Sequence, residues 1–65
     1  MITPGELQLL KLLAGGKSNK EIAHELGLAE QTIKNRLRFL FLRLGVTNRT
    51  AALVKAIKKG LVTIT

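Results

Sequence analysis

The chain has 65 residues, 46% of them hydrophobic, a formal net charge of +7 and no cysteine. That length holds one domain, residues 1–65, with one small core, and the apolar content is too high for a disordered tail. The composition excludes a disulfide framework and a thiolate metal site, has no apolar run near the ~20 residues of a membrane span and no secretory leader layout, and fits a reducing cytoplasm.

A first helix is predicted from Thr3-Pro4-Gly5-Glu6, a capping box in which Thr3 accepts from the first turn and Glu6 reaches back. Pro4 suits the first helical position, which needs no donor. Leu7, Leu10 and Leu13 recur at helical spacing, Leu9 and Leu12 widen the stripe, and Gly15-Gly16 ends it. A second helix opens on another capping box, Ser18-Asn19-Lys20-Glu21, with Ile22, Ala23 and Leu26 inward, Gly27 as its stop and Leu28 buried in the turn.

A third helix is predicted from about Glu30 to Leu44, with Gly45 as terminator. Ile33, Leu37, Leu40 and Leu44 follow 4-3-4 spacing and form its core stripe. Its N-cap is Ala29, which has no side-chain acceptor; Glu30 offsets part of that loss through the helix dipole. A fourth helix runs from about Asn48 to Lys59, capped by Thr47 or Asn48 and stopped by Gly60. Ala52, Leu53, Ala56 and Ile57 are expected to face inward. The tail Leu61–Thr65 alternates apolar and polar residues but has no partner strand, so it reads as irregular. The fold class is therefore all-α, with four helices.

The second and third helices carry a further pattern. Ala23 is small where two helices cross closely, Gly27 can take the positive φ of a sharp exit, and Ile33 plugs the angle between the helices. This is the layout of a helix-turn-helix, which places its second helix in the DNA major groove.

Charge is distributed to match. Residues 1–30 hold four acids and three bases; residues 31–65 hold eight bases and no acid. The second half is the half that faces a polyanion. At about 100° per residue, Gln31, Lys34, Asn35 and Arg38 fall on the arc of the third helix opposite its core stripe. Lys and Arg suit guanine O6 and N7, and Asn or Gln suit adenine N6 and N7, so these four are the candidate base-contacting residues. Thr32, Arg36 and Arg43 lie on a flank suited to phosphates. Ser18, Asn19 and Lys20, at the start of the second helix, make a phosphate seat from free N–H groups, dipole and charge. The bland alternative is a solvated helix face, but such faces ordinarily mix in acids, and none follows Glu30.

On the fourth helix, Ala51, Val54, Lys55 and Lys58 lie opposite the core stripe. This face is either a two-fold contact between identical helices or an ordinary surface with one exposed valine. Phe39 and Leu42 project away from the core stripe of the third helix. They pack on another subunit, on the fourth helix, or on nothing, and phosphate contact does not explain them. His24, the only histidine, points off the outer side of the second helix with no metal-ligating neighbour. No catalytic constellation is present, so no enzyme activity, metal or cofactor is expected.

Four blocks in register, Thr3-Pro4-x-Glu6, Ser18-Asn19-Lys20-Glu21-Ile22-Ala23, Thr32-Ile33-Lys34-Asn35 and Leu44-Gly45-Val46-x-Asn48-Arg49-Thr50, closely resemble the LuxR/GerE-type DNA-binding domain. The resemblance covers Ile2 to about Val62. It implies a four-helix domain of bacterial transcription regulators whose third helix reads the major groove and whose fourth often forms a dimer contact. By that resemblance, base contacts correspond to Lys34, Asn35 and Arg38. Phosphate contacts correspond to Asn19, Lys20, Thr32 and Arg36, and the dimer face to the outer side of the fourth helix. Four positions depart from it: Ala29 where the family usually has Ser, Arg36 where it commonly has His, and apolar Phe39 and Leu42 where it usually has polar residues. The implied partners are double-stranded DNA and a second copy of the chain. Family members usually carry an N-terminal regulatory domain, so the chain is either excised or a stand-alone regulator. The competing function is a small protein-interaction module that uses Phe39, Leu42 and the fourth helix. A membrane-active peptide fits poorly, because the apolar residues form several capped core stripes and not one long amphipathic helix.

Overall fold

The computed structural model describes residues 2–63. Four helices follow in order: α1 (Pro4–Ala14), α2 (Asn19–Leu26), α3 (Glu30–Leu44) and α4 (Arg49–Lys58). No strand occurs among the described residues. The helix starts are those the capping residues dictate. Thr3 Oγ1 accepts from the Glu6 N–H at 3.2 Å while the Thr3 N–H donates to Glu6 Oε1 at 2.9 Å. Ser18 and Glu21 repeat the exchange at 3.1 and 2.8 Å. Asn48, of the two candidate caps, accepts from the Ala51 N–H at 2.8 Å. Ala29 makes no side-chain cap bond.

The exits from α2 and α3 share one geometry. Gly27 and Gly45 sit at φ +68° and +70°. In each, the next N–H reaches back five residues: Leu28 to the Ala23 carbonyl and Val46 to the Phe41 carbonyl, both at 2.9 Å. This Schellman pattern satisfies the last carbonyls and turns the chain sharply.

The core gathers Leu9, Leu10 and Leu13 of α1, Ile22 and Ala23 of α2, Ile33, Leu37, Leu40 and Leu44 of α3, Ala52 and Ala56 of α4, and Val62. Leu28 is half-buried and packs against this cluster. Two expectations are corrected. Leu9 joins the core of α1 in place of Leu7, which is half-buried. Ile57 is 39% exposed. The buried line of α4 is centred on Ala52 and Ala56, four residues apart, and Ile57 lies about 100° round from Ala56, off that line. Val62 also turns inward from a segment without regular structure. The tail expectation for Ile64 and Thr65 lies outside the described residues.

Candidate nucleic-acid interface

α3 packs against α2 across the Gly27 turn, and Ala23 of α2 and Ile33 of α3 are both buried. Burying Ile33, Leu37, Leu40 and Leu44 forces the opposite side of α3 into solvent. Gln31, Lys34, Asn35 and Arg38 are all exposed there. Gln31 and Asn35 are joined: Gln31 Nε2 donates to Asn35 Oδ1 at 3.1 Å, one helical turn apart. The bond occupies Asn35 Oδ1 and one Gln31 Nε2 hydrogen, so the Asn35 Nδ2 group remains as a donor and Gln31 Oε1 as an acceptor for other partners.

The flank residues divide. Arg36 is exposed and Thr32 is half-buried near the start of α3. Arg43 instead turns towards α1, where its Nε lies 2.9 Å from Glu6 Oε2. The Glu6 carboxyl is held below its usual range, first by the Thr3 N–H, with the Thr3 hydroxyl and Arg43 adding to it. One acid thus closes the N-terminus of α1 and ties it to the far end of α3.

At the start of α2, Ser18 Oγ is committed to the cap, Asn19 is half-buried and Lys20 is exposed. Glu21 has its carboxyl lowered by the Ser18 N–H it accepts from, with the Ser18 hydroxyl second. Lys17 pairs with Glu25 at 3.3 Å. Arg49, at the first position of α4, reaches across to this segment. Its Nη1 donates to Asn19 Oδ1 at 3.3 Å and its Nη2 to the Lys17 carbonyl. Arg49 was absent from the residues singled out for function, although one signal was there: a cation in the first turn of a helix opposes the dipole. No acid accompanies it in that turn.

On α4, Val54 is 46% exposed, Lys58 is exposed, and Ala51 and Lys55 are half-buried. Ile57, three residues from Val54, adds an apolar neighbour to this face. Phe39 and Leu42 are 65% and 69% exposed. His24 is exposed, and no cluster of metal-ligating side chains exists among the described residues. No described helix is long and apolar enough to cross a membrane.

Comparison with known proteins adds three findings. The family profile described as "GerE: Bacterial regulatory proteins, luxR family" matches residues 1–56. The chain is 41% identical over 63 residues to the transcriptional regulatory protein YdfI of Bacillus subtilis (strain 168), covering 97% of this chain and 30% of that protein. It is 43% identical over 60 residues to the HTH-type transcriptional regulator AlkS of Alcanivorax borkumensis, covering 92% of this chain and 7% of the relative. Among solved structures, the crystal structure of the response regulator ChrA in a heme-sensing two component system superposes with a TM-score of 0.90 at 35% identity, over 95% of this chain and 31% of that one. The chain thus spans less than a third of each of these proteins.

Proposed function

Because the chain belongs to the LuxR/GerE family of DNA-binding bacterial transcription regulators, we propose that it reads its operator as a dimer, one α3 in the major groove of each half-site. The half-sites lie about one helical turn, ~34 Å, apart. Lys34, Asn35 and Arg38, with Gln31 bonded to Asn35, meet base edges. Ser18, Asn19, Lys20, Thr32 and Arg36 take phosphates. Arg43 is the further phosphate contact of this set, although its Nε is held by Glu6. Ala51, Val54, Lys55 and Lys58 form the two-fold contact, with the lysines at the rim. The module works in the bacterial cytoplasm, either as a stand-alone regulator or under the control of an N-terminal regulatory domain of the kind family members usually carry.

The observation that carries this reading is the exposure of Lys34, Asn35 and Arg38 on the side of α3 opposite its buried stripe. A face this rich in donors, on the side of α3 turned away from the core, is free to enter a duplex. The test is titration of labelled duplexes drawn from a randomised library. Arg38→Ala is expected to lose about 1–3 kcal/mol and to relax one operator position. Equal weakening on every sequence would reduce Arg38 to a phosphate contact. Only the cations among these contacts, Lys20, Arg36 and Arg43, neutralise phosphates, so the dimer is expected to show a log–log salt slope of about −5. A flat salt response would overturn the electrostatic part.

The exposure of Phe39 and Leu42 favours a second reading, docking of a protein partner on the later turns of α3. Phe39→Ser separates the two. It leaves duplex affinity intact under the DNA reading, and abolishes partner binding if duplex affinity is weak and incidental.

A further inference from the structure

We propose that Arg49 is a positioning residue for DNA binding, acting through Asn19: it claims the amide oxygen of Asn19 and so presents that side chain to the phosphate as a pure donor. This rests on the reading that the start of α2 meets the DNA backbone.

The chemistry begins with what each group can do. A guanidinium has five N–H donors and no acceptor. The atom of Asn19 that faces Arg49 must therefore be Oδ1, and the 3.3 Å contact settles which way the amide points. Nδ2 is left with both hydrogens directed away from Arg49. A phosphate oxygen accepts and does not donate, so a fixed amide with only its NH2 on offer matches it. An untethered Asn19 turns between its donor and acceptor ends, and half of that freedom is unproductive against a phosphate.

Arg49 is also placed oddly for a purely structural residue. It stands in the first turn of α4, where the dipole disfavours a cation, and that turn holds no acid. Among the described residues its hydrogen-bond partners are two neutral oxygens, Asn19 Oδ1 and the Lys17 carbonyl, 30 and 32 residues away in the chain. The side chain is half-buried and its charge has no carboxylate partner among the described residues. A phosphate held by Asn19 would supply the missing anion at second-neighbour distance. A simple tether between α4 and the loop would not need a charge left uncompensated.

The experiment is a double-mutant cycle with the 65-residue chain, using Arg49→Gln, Asn19→Ala and the double variant. Affinity is measured for one duplex selected from a random library by the unsubstituted chain, and thermal melts are recorded in parallel. Arg49→Gln is expected to weaken binding by about ten-fold, the effect of one charge-assisted contact, and to do so for all sequences alike. In the Asn19→Ala background the same substitution is expected to change affinity little, because the residue it acts through is gone. Equal loss in both backgrounds, or no loss from Arg49→Gln where Asn19→Ala weakens binding, overturns the proposal. If Asn19→Ala, Lys34→Ala and Arg38→Ala all leave affinity unchanged, the DNA reading itself has failed, and the proposal falls with it. Should Arg49→Gln not fold, Arg49→Lys, which keeps a donor and the charge but loses the fork, runs the same cycle.

Discussion

Ala29 is where a single side chain most plainly falls short of its task. It holds the N-cap position of α3 with φ −71° and ψ 147°, the extended backbone a cap requires, yet it offers no acceptor. The other three helices all have one, from Thr3, Ser18 and Asn48. Ala29→Ser is therefore expected to stabilise the domain by about 1 kcal/mol. In a domain of this size that raises the melting temperature by about 4–8 °C, which a calorimetric scan would resolve. A melting temperature that does not move would mean that solvent already satisfies those N–H groups equally well. At the same scale, the alternation of residue types along α3 placed Lys34, Asn35 and Arg38 correctly in solvent, because a helix that buries every third or fourth residue leaves only one direction for the rest. It did not show that Gln31 and Asn35 bond to each other, since spacing brings two amides near without fixing which atoms meet.

Between elements, the turns decide geometry. Gly27 holds the α2–α3 turn at φ +68°, and a Cβ built on it meets nothing within 4 Å. The strain of Gly27→Ala is therefore conformational and not steric, and the variant is expected to lose about 1 kcal/mol or more in denaturant melts. No loss would imply that the turn relaxes, and DNA affinity would then report whether α3 has moved. On α4, Val54 and Ile57 give the outer face more exposed apolar area than helical spacing led one to expect, because Ile57 is 39% exposed and not turned inward. Val54→Asp is expected to remove cooperative occupancy of paired half-sites while a single half-site duplex binds as before. Unchanged cooperativity in a two-site titration would move the dimer contact elsewhere. The boundaries of these helices were legible because each end is written in two or three adjacent residues. The Arg49 crossing was not, because it joins segments 30 and 32 residues apart.

For the whole molecule, acid sensitivity follows from two carboxylates. Glu6 and Glu21 each accept from the backbone of their own cap, and both have lowered pKa values in the folded chain, caused first by the N–H of Thr3 and of Ser18. A carboxyl that is more acidic folded than unfolded binds its proton first in the unfolded chain. Stability from both is thus fully present above the ordinary glutamate range, about pH 4.3, and is lost as pH falls through the lowered folded values. Glu21→Gln is expected to flatten that acid-side decline, and melts recorded from pH 7 down to pH 3 check it. A decline as steep as in the unsubstituted chain would place the sensitivity elsewhere. Glu6 is a special case, since it also holds Arg43 at 2.9 Å and so joins the start of α1 to the end of α3.

Taken alone, the order of residues determined the four helices, their stops, the turn at Gly27 and the side of α3 that meets solvent. All of these depend on neighbours within one or two helical turns, where spacing and side-chain chemistry suffice. Only the packed chain decided that Leu9 replaces Leu7, that Ile57 stays exposed, that Val62 closes the core, and that Arg43 and Arg49 are held by Glu6 and Asn19. A helical wheel gives each side chain a direction, but whether anything stands in that direction depends on where the other helices end.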